Sequence, residues 1–290
     1  VDKPVDLDNA NDEYNLMEIS SSSITNNNTI TGTQAGQIAI AQANDTAPKS
    51  VVTLTNNGTI NLSGANSAGI FAKNGIINNT SNITVGDSSS GIYGLNNTEI
   101  NNTGSITTGG ASTAIYYSDV EKDSAGNITA INNTATGLRN DGTITLNGGN
   151  TKTSSVGIYS LIEDKAVQNN LSQQIANTGT INVGTKGSAG IYIKDNRTTG
   201  TNMVSLVRNE KDINITQESS AGIIGEYSQI TNGNPQNTNG KIELSAIKTA
   251  GIIANKKSEV INYGTIETTN STTVNSKTDA LVGISADNSK

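Results

Sequence analysis

The 290-residue chain contains no cysteine and no histidine. Without these side chains it cannot form a disulfide, a zinc finger, a thiol nucleophile or a Ser-His-Asp triad. Tryptophan is absent, and aromatic residues make up only 3% of the chain. Hydrophobic residues reach 33% and charged residues 15%. This composition suits neither a thick globular core nor a charge-rich disordered chain. It allows a thin core built from a repeated short unit.

Charge and hydropathy exclude further classes of protein. The formal net charge is -7, whereas a nucleic-acid-binding protein carries a basic face. No apolar run approaches the roughly 20 residues that a membrane-spanning helix needs. The opening Val1-Asp2-Lys3-Pro4 is not the start of a signal peptide. We therefore expect no nucleic-acid partner, no cofactor and no metal, and we expect that an exported protein is represented here by a mature fragment.

A repeated unit runs through most of the chain. It reads apolar-x-Asn-x-Gly-Thr-Ile-x-Val/Leu and continues, after a short linker, with Ser-x-Gly-Ile-Tyr. The shortest steps, from Ile60 to Ile83 and from Ile83 to Ile106, are 23 residues long, a period in the range of solenoid proteins. The isoleucine of the Gly-Thr-Ile element recurs at Ile30, Ile60, Ile83, Ile106, Ile144, Ile181, Ile213, Ile242 and Ile266.

Each unit contains three short runs of alternating side chains, which favours strands over helices. The first run ends in the repeated Asn, the second contains Gly-Thr-Ile, and the third contains Gly-Ile-Tyr. In the third run the small residues two positions before and two positions after the Ile, as in Ala68, Ile70 and Ala72, are expected to point inward with it. Three strands per turn predict an all-β fold, a parallel β-helix of about nine coils with side insertions, over residues 22–286. Residues 1–21 are predicted to be a linker or a polar cap, and residues 287–290 a C-terminal tail.

An Asn stands two residues after the apolar residue of each first run. Asn tolerates the left-handed conformation of a tight turn, and stacked amides can bond the rungs above and below. Only the coil around Thr238 lacks such an Asn. The pattern predicts a buried structural ladder, with no catalytic role, formed by Asn26, Asn56, Asn79, Asn102, Asn140, Asn177, Asn209 and Asn262.

The units resemble those of a known family. Asn-Asn-Gly-Thr-Ile-Asn-Leu at 56–62 is followed by Ser-Ala-Gly-Ile-Phe-Ala at 67–72, and Asn-Thr-Gly-Thr-Ile-Asn-Val at 177–183 by Ser-Ala-Gly-Ile-Tyr-Ile at 188–193. This pattern resembles the passenger repeats of the large fusobacterial autotransporter adhesins, which are type V secreted proteins. The resemblance implies a right-handed β-helix that acts in adhesion on the bacterial cell surface or as a secreted protein. It also implies a tether to the outer membrane through a C-terminal barrel that this sequence lacks.

The residue after the third-run Ile is predicted to lie outside, because alternation places it opposite the inward Ile. Stacked exterior aromatics are a platform for sugars or for a partner protein. The alternative is a ladder that only stabilises the strands. This column consists of Phe71, Tyr93, Tyr116, Tyr159 and Tyr192, continued by Ile224 and Ile253.

Four long insertions are predicted to leave the coils just after the third run, at about residues 117–135, 160–173, 194–205 and 226–237. They would share one side of the solenoid, often the binding side, although surface loops are also where insertions survive. Acidic residues at the start of two insertions are expected to attract a cationic partner. The candidate ligand-binding residues are Tyr93, Tyr116, Tyr117, Asp119, Glu121, Asp123, Tyr159, Glu163, Asp164 and Tyr192.

Three functions fit this predicted fold. The first is a bacterial adhesin segment, a rigid and monomeric stalk that binds a protein or glycan receptor on host or bacterial cells. The second is a structural spacer within a larger autotransporter. The third, a polysaccharide-active enzyme, needs clustered outward carboxylates, whereas the outward second-run positions are mostly Thr and Asn. Lys241 and Glu243 are expected to form a solvated ion pair, so we predict that the chain is not an enzyme.

Overall fold

The computed structural model describes residues 3–9, 18–19, 23–42, 52–122, 124–125, 128–131, 137–163, 174–196, 205–269 and 279–289. Within these ranges the regular structure consists of strands, and no helix is long and apolar enough to cross a membrane. The strands in chain order are β1 (Val5–Asp6), β2 (Glu18–Ile19), β3 (Ile24–Asn26), β4 (Ile30–Gly32), β5 (Ile38–Gln42), β6 (Thr53–Asn56), β7 (Ile60–Leu62), β8 (Ala68–Asn79), β9 (Ile83–Val85), β10 (Ser90–Asn102), β11 (Ser105–Thr108), β12 (Thr113–Ser118), β13 (Val120–Lys122), β14 (Ile128–Ile131), β15 (Gly137–Asn140), β16 (Thr143–Thr153), β17 (Val156–Ile162), β18 (Gln174–Asn177), β19 (Thr180–Lys186), β20 (Ala189–Asp195), β21 (Ser205–Asn209), β22 (Asp212–Ile215), β23 (Ala221–Glu226), β24 (Ser228–Asn232), β25 (Lys241–Leu244), β26 (Ala250–Asn255), β27 (Glu259–Asn262), β28 (Thr265–Thr268) and β29 (Val282–Asp287).

Neighbouring strands stack in parallel, in three columns that correspond to the three runs of the repeat. The second-run strands form one ten-stranded sheet in the order β1-β4-β7-β9-β11-β16-β19-β22-β25-β28. The first-run column is β3-β6-β8-β10-β15-β18-β21-β24-β27. The third-run column is β2-β5-β8-β10-β12-β17-β20-β23-β26-β29. Strands β8 and β10 belong to both columns, because each continues around a corner from a third run into the next first run.

These parallel strands in curled sheets are arranged as in a parallel β-solenoid, so the prediction of an all-β parallel fold is confirmed. Among the described strands, β13 and β14 alone pair in antiparallel fashion, as a hairpin inside one insertion. Successive coils of such a fold are separated by about 4.8 Å, the distance between hydrogen-bonded strands.

The core consists of columns of aliphatic side chains, because the register places equivalent residues of successive coils beside one another. Ile60 pairs with Ile83, and Ile83 pairs with Ile106. Full burial of one such side chain contributes about 1.5–3 kcal/mol, so a core one side chain deep is stabilised by its repetition. The second-run isoleucines with 0% exposure are Ile30, Ile60, Ile106, Ile144, Ile181, Ile213 and Ile242.

The glycine of the Ser-x-Gly-Ile element faces the core. A Cβ atom on Gly69 would lie 2.6 Å from the backbone oxygen of Gly91 and 2.7 Å from Cγ2 of Ile83. The glycine and the isoleucine after it are therefore both buried, and the residue before the glycine turns outward. The prediction that this small residue points inward is wrong: Ala221 and Ala250, for example, line a groove on the outer face.

The two ends of the solenoid differ. At the start, β1 pairs with β4 and its Val5 is buried. The Asp8 carboxylate accepts hydrogen bonds from the backbone N–H and the hydroxyl of Thr33, both at 2.7 Å, and from Nε2 of Gln37 at 2.8 Å. Residues 3–9 thus lie over the first coil as a polar cap would. At the other end, β29 pairs with β26, and all six of its residues are exposed.

Candidate functional site

Five aromatic side chains form a continuous column on the outer face of the third-run sheet, which we call the aromatic column. Consecutive ring centroids, from Phe71 through Tyr93, Tyr116 and Tyr159 to Tyr192, are 5.7, 4.5, 5.4 and 5.2 Å apart. The rings of Tyr93 and Tyr116 are nearly parallel, with an interplanar angle of 10°. The next two pairs are tilted by 46° and 56°. Each aromatic pair contributes about 0.5–1.5 kcal/mol beyond the burial of its area.

A groove of about 520 Å³ runs beside the C-terminal part of this column, and we call it the tyrosine groove. One side is formed by Tyr116, Tyr159 and Tyr192 and then by the aliphatic side chains that continue their column. The other side includes turn residues with a left-handed backbone, such as Ser154 (φ 64°) and Ser219 (φ 60°). The remaining lining residues are Thr113, Ser155, Val156, Gly187, Ser188, Ala189, Ser220, Ala221, Ile224, Lys248, Ala250 and Ile253.

A ladder of buried serines, which the sequence analysis missed, supports the turns of the tyrosine groove. The backbone N–H of each serine donates to the hydroxyl oxygen of the serine in the next coil, as in Ser155 to Ser188 at 2.9 Å and Ser188 to Ser220 at 3.1 Å. Its signal in the sequence is the Ser of the Ser-x-Gly-Ile element, which recurs at a fixed offset before the Gly. The rungs are Ser67, Ser89, Ser112, Ser155, Ser188 and Ser220.

The tyrosine hydroxyls stay neutral. Burial raises the pKa of Tyr116 and of Tyr192 well above the usual value, and the nearby Glu226 contributes to the rise at Tyr192. The hydroxyl of Tyr192 donates to Oε1 of Glu226 at 2.5 Å, and Nζ of Lys256 donates to the other carboxylate oxygen. Burial raises the pKa of Glu226, but these two hydrogen bonds outweigh it and the pKa falls. The carboxylate beside the groove is therefore ionised and paired.

Two of the candidate ligand-binding residues are structural. Tyr117 is only 1% exposed, and its hydroxyl donates to the backbone oxygen of Asn96 at 2.7 Å. Asp119 is 7% exposed, and its Oδ1 accepts the backbone N–H of Glu163 at 2.8 Å. Strand β12 continues to Ser118 and carries Tyr117 into the core, so the ring of Tyr117 does not lie on the surface. Asp119 instead joins the starts of two insertions.

Among the other acidic candidates, Glu163 is held by contacts within the chain. Glu163 forms an ion pair with Lys122 and accepts a hydrogen bond from Asn196, and its side chain is only 15% exposed. The carboxylates of Asp119 and Glu163 are thus used within the chain, and the attraction of a cationic partner stays a prediction. Glu121 lies in β13, and Asp123 and Asp164 lie outside the described residues.

The structure places three of the four insertions at the end of third-run strands, after β12, β17 and β20. The predicted position of the fourth insertion, at 226–237, is wrong. Residues Ser228–Asn232 form the first-run strand β24, and the extra residues lie between β24 and β25, at another corner. Residues 43–52 join β5 to β6 at the same point as the three insertions; all but the last of them lie outside the described ranges.

The asparagine ladder has one more rung than the sequence analysis assigned. Asn232 lies between Asn209 and Asn262, so the coil around Thr238 does not lack a rung. Each side-chain amide donates to Oδ1 of the next rung over 2.6–2.8 Å, always towards the C-terminus. Most amides also donate to the backbone oxygen two residues ahead, as Asn177 does to Gly179. All rungs except Asn262 are fully buried.

The outer face of the second-run sheet carries amides, hydroxyls and paired charges. Asn214 donates to Asn182 at 2.9 Å, and Lys241 forms ion pairs with Glu243 at 2.8 Å and Glu267 at 3.0 Å. Within the described ranges, no group of three or more acidic residues is placed to hold a metal ion.

Comparisons with protein-family models, with curated proteins and with solved structures found no match to this chain.

Proposed function

We propose that the chain is a non-catalytic binding segment of a bacterial surface adhesin, and that the tyrosine groove is its contact site. The observation that carries the proposal is the aromatic column, which continues on the outer surface into a groove of about 520 Å³. Rigid aromatic side chains provide contact area with little loss of conformational entropy on binding.

The groove is a better candidate than the acidic insertions. Its tyrosines are partly exposed, whereas Asp119 and Glu163 are held by contacts within the chain. The outer second-run face repeats Thr and Asn from coil to coil, so it distinguishes no single site. The insertions at the ends of β12, β17 and β20 begin in the same coils as the groove.

The proposal includes a right-handed solenoid of about nine coils. Right-handedness is supported by the general rule that about 98% of crossovers between parallel strands are right-handed. The coil number is supported by the ten strands of the second-run sheet, the first of which belongs to the N-terminal cap. Such a stalk holds its groove at a fixed distance from the point of attachment.

The proposed location is the bacterial cell surface, with the chain displayed as part of an autotransporter passenger or secreted. The support is the resemblance of the repeats at 56–72 and 177–193 to fusobacterial adhesin repeats. The receptor is a protein or glycan of a host or bacterial cell, and the chain acts as a monomer without catalysis.

A structural spacer is the second candidate. It is favoured by the stacked pair of Tyr93 and Tyr116, whose rings at 4.5 Å and 10° cover each other's faces as in a purely stabilising ladder. The two candidate functions give opposite predictions for Tyr159, which lines the groove. The adhesin needs this ring for binding, whereas the spacer does not.

The test is adhesion of beads coated with the chain to epithelial cells and to bacterial cells. We expect Tyr159→Ala to reduce bound beads at least about tenfold, as for an aromatic hot spot. Shortening of residues 164–172 to a minimal turn tests the insertions. Shortening of 234–239, which lies at another corner, is the matched control. Adhesion unchanged by Tyr159→Ala, with the fold verified by circular dichroism, would favour the spacer.

A further inference from the structure

We propose that the tyrosine groove binds a neutral, linear polysaccharide whose chain runs parallel to the solenoid axis. This inference rests on the proposed function, since it names the ligand class of the same site. Three properties of the groove support it: its period, the chemistry of its two sides and its charge.

The groove repeats with the coils. Its lining runs from Thr113 and Tyr116 to Ala250 and Ile253, which the strand register places in five successive coils. At about 4.8 Å per coil its length is about 19 Å. Linked pyranose units repeat at a distance close to this spacing, so successive sugars can lie beside successive coils. An extended peptide advances only about 3.3 Å per residue, so its residues do not keep the spacing of the coils.

The two sides of the groove match the two kinds of surface on a sugar. The rings of Tyr159 and Tyr192 are tilted by 56°, so neither ring covers the whole face of the other. The uncovered part can receive the C–H groups of a pyranose, which the electron-rich ring face attracts. Across the groove, Ser154 and Ser219 are exposed at the turns and place hydroxyl groups beside the sugar hydroxyls.

The backbone around the groove offers nothing to a peptide main chain. The N–H and C=O groups of β12, β17, β20, β23 and β26 pair with the strands of neighbouring coils. A peptide therefore has no open strand edge to extend here, which is the usual route by which sheets bind peptides. A sugar needs no open strand edge, because side-chain rings and hydroxyls can hold it, and the groove provides both.

The charge of the groove favours a neutral ligand. Lys248 is the one charged side chain among its lining residues. It faces Glu218 at 4.0 Å and Asp279 at 3.8 Å, so its charge is balanced within the chain. An anionic polysaccharide has no unbalanced cation to bind in the groove, and a cationic ligand has no unbalanced carboxylate among the lining residues.

The experiment is calorimetric titration of the whole chain with cello-oligosaccharides and chito-oligosaccharides, from the disaccharide to the hexasaccharide. We expect affinity to rise with length until the sugar fills about 19 Å, and then to level off. Tyr159→Ala should weaken binding of the hexasaccharide about tenfold or more. Phe71→Ala removes a ring of the same aromatic column that lies outside the groove and contacts Tyr93 rather than a ring of the groove lining, so it is the matched control and should leave affinity unchanged.

The outcomes separate this inference from the proposed function. If Tyr159→Ala abolishes adhesion while no neutral oligosaccharide binds the chain or competes with adhesion, the ligand class is wrong and the adhesin function stands. Binding of a fluorescent fatty acid without binding of sugars overturns the ligand class in the same way. Equal weakening by Phe71→Ala and Tyr159→Ala would show that the sugar does not lie in the groove. Adhesion unaffected by Tyr159→Ala overturns the proposed function itself.

Discussion

Two corners of each coil are held by different chemistry. Between the first and second runs, an asparagine side chain bonds to the asparagine side chains of both neighbouring coils. Between the second and third runs, a serine hydroxyl accepts the backbone N–H of the preceding coil. An interior rung such as Asn177 makes three hydrogen bonds through its side chain, at 2.7, 2.7 and 2.9 Å. Ser188 makes two, at 2.9 and 3.2 Å.

This difference determines how strictly the amino acid at each corner position is constrained. A side-chain ladder needs the same length and the same amide in every coil, because each rung must both donate and accept. A ladder from backbone to hydroxyl needs only an acceptor. The described asparagine column is accordingly uniform. In the serine column, the N-terminal position is occupied by Gln37, which donates its backbone N–H to the hydroxyl oxygen of Ser67. The asparagine corner should therefore be the more sensitive to substitution.

The largest effect is expected at the asparagine corner. Asn102→Ala or Asn177→Ala leaves a buried donor and a buried acceptor of the neighbouring rungs unpaired. The free energy of unfolding should fall by about 1–3 kcal/mol. Urea unfolding followed by circular dichroism measures this change. Asn61, which is exposed on the second-run face, is the control, and Asn61→Ala should cost less than about 0.5 kcal/mol. Equal losses at Asn61 and Asn177 would contradict the role of the ladder.

A smaller effect is expected at the serine corner. Ser188→Ala removes the acceptor of the Ser155 backbone N–H and should cost about 0.5–1.5 kcal/mol, the net value of one hydrogen bond. The same urea titration compares it with Asn177→Ala. Ser154, the exposed turn residue directly before Ser155, is the control, and Ser154→Ala should change the free energy of unfolding by less than about 0.5 kcal/mol. A loss at Ser188 larger than that at Asn177 would reverse the ranking of the corners.

The smallest effect is expected at the first coil, where Asp8 binds beside the serine corner. The hydrogen bond from the Thr33 hydroxyl, with others from Gln37 and the backbone, lowers the pKa of Asp8 below its usual value. A lowered folded-state pKa means that the stabilisation is present above the unfolded pKa of about 3.9. It is lost as the pH falls through the folded value.

Hydrogen exchange of the Thr33 and Gln34 amides, which donate to Asp8, measures this local effect. Their protection should decrease in acid relative to amides of the central coils, after correction for the intrinsic exchange rate. Asp8→Asn should remove that pH dependence. If the dependence persists in Asp8→Asn, another group controls the cap.

The repeat itself was readable from the sequence because each role recurs at a fixed offset. Parallel strands, the inward isoleucines and eight asparagine positions follow from that recurrence. Asn232 was missed because residues 233–240 separate it from Ile242, so its unit lost the usual spacing. Tyr117 was misplaced because β12 was predicted to end too early; alternation after the inward Ile115 and the outward Tyr116 already places Tyr117 inside.

The candidate site was less predictable than the fold. The aromatic column follows from strand alternation, but the groove beside it depends on the inward turn of the Gly-Ile pair, which breaks that alternation. The pairing of Asp119 with Glu163 joins residues 44 positions apart in two different insertions. Nothing in the local sequence of either insertion indicates such a contact, so the sequence alone predicts surface charges at both positions.

The asparagine ladder gives the solenoid a direction. Its amide dipoles point the same way in every coil and polarise one another, which strengthens each bond. Every coil thus presents an oxygen acceptor on one side and an N–H donor on the other, and any coil can follow any other provided its orientation is kept. Loss or duplication of a whole coil, such as the 23 residues from one rung to the next, leaves the ladder of amide hydrogen bonds uninterrupted. Stalk length can therefore change by whole coils during evolution without a new way of joining them.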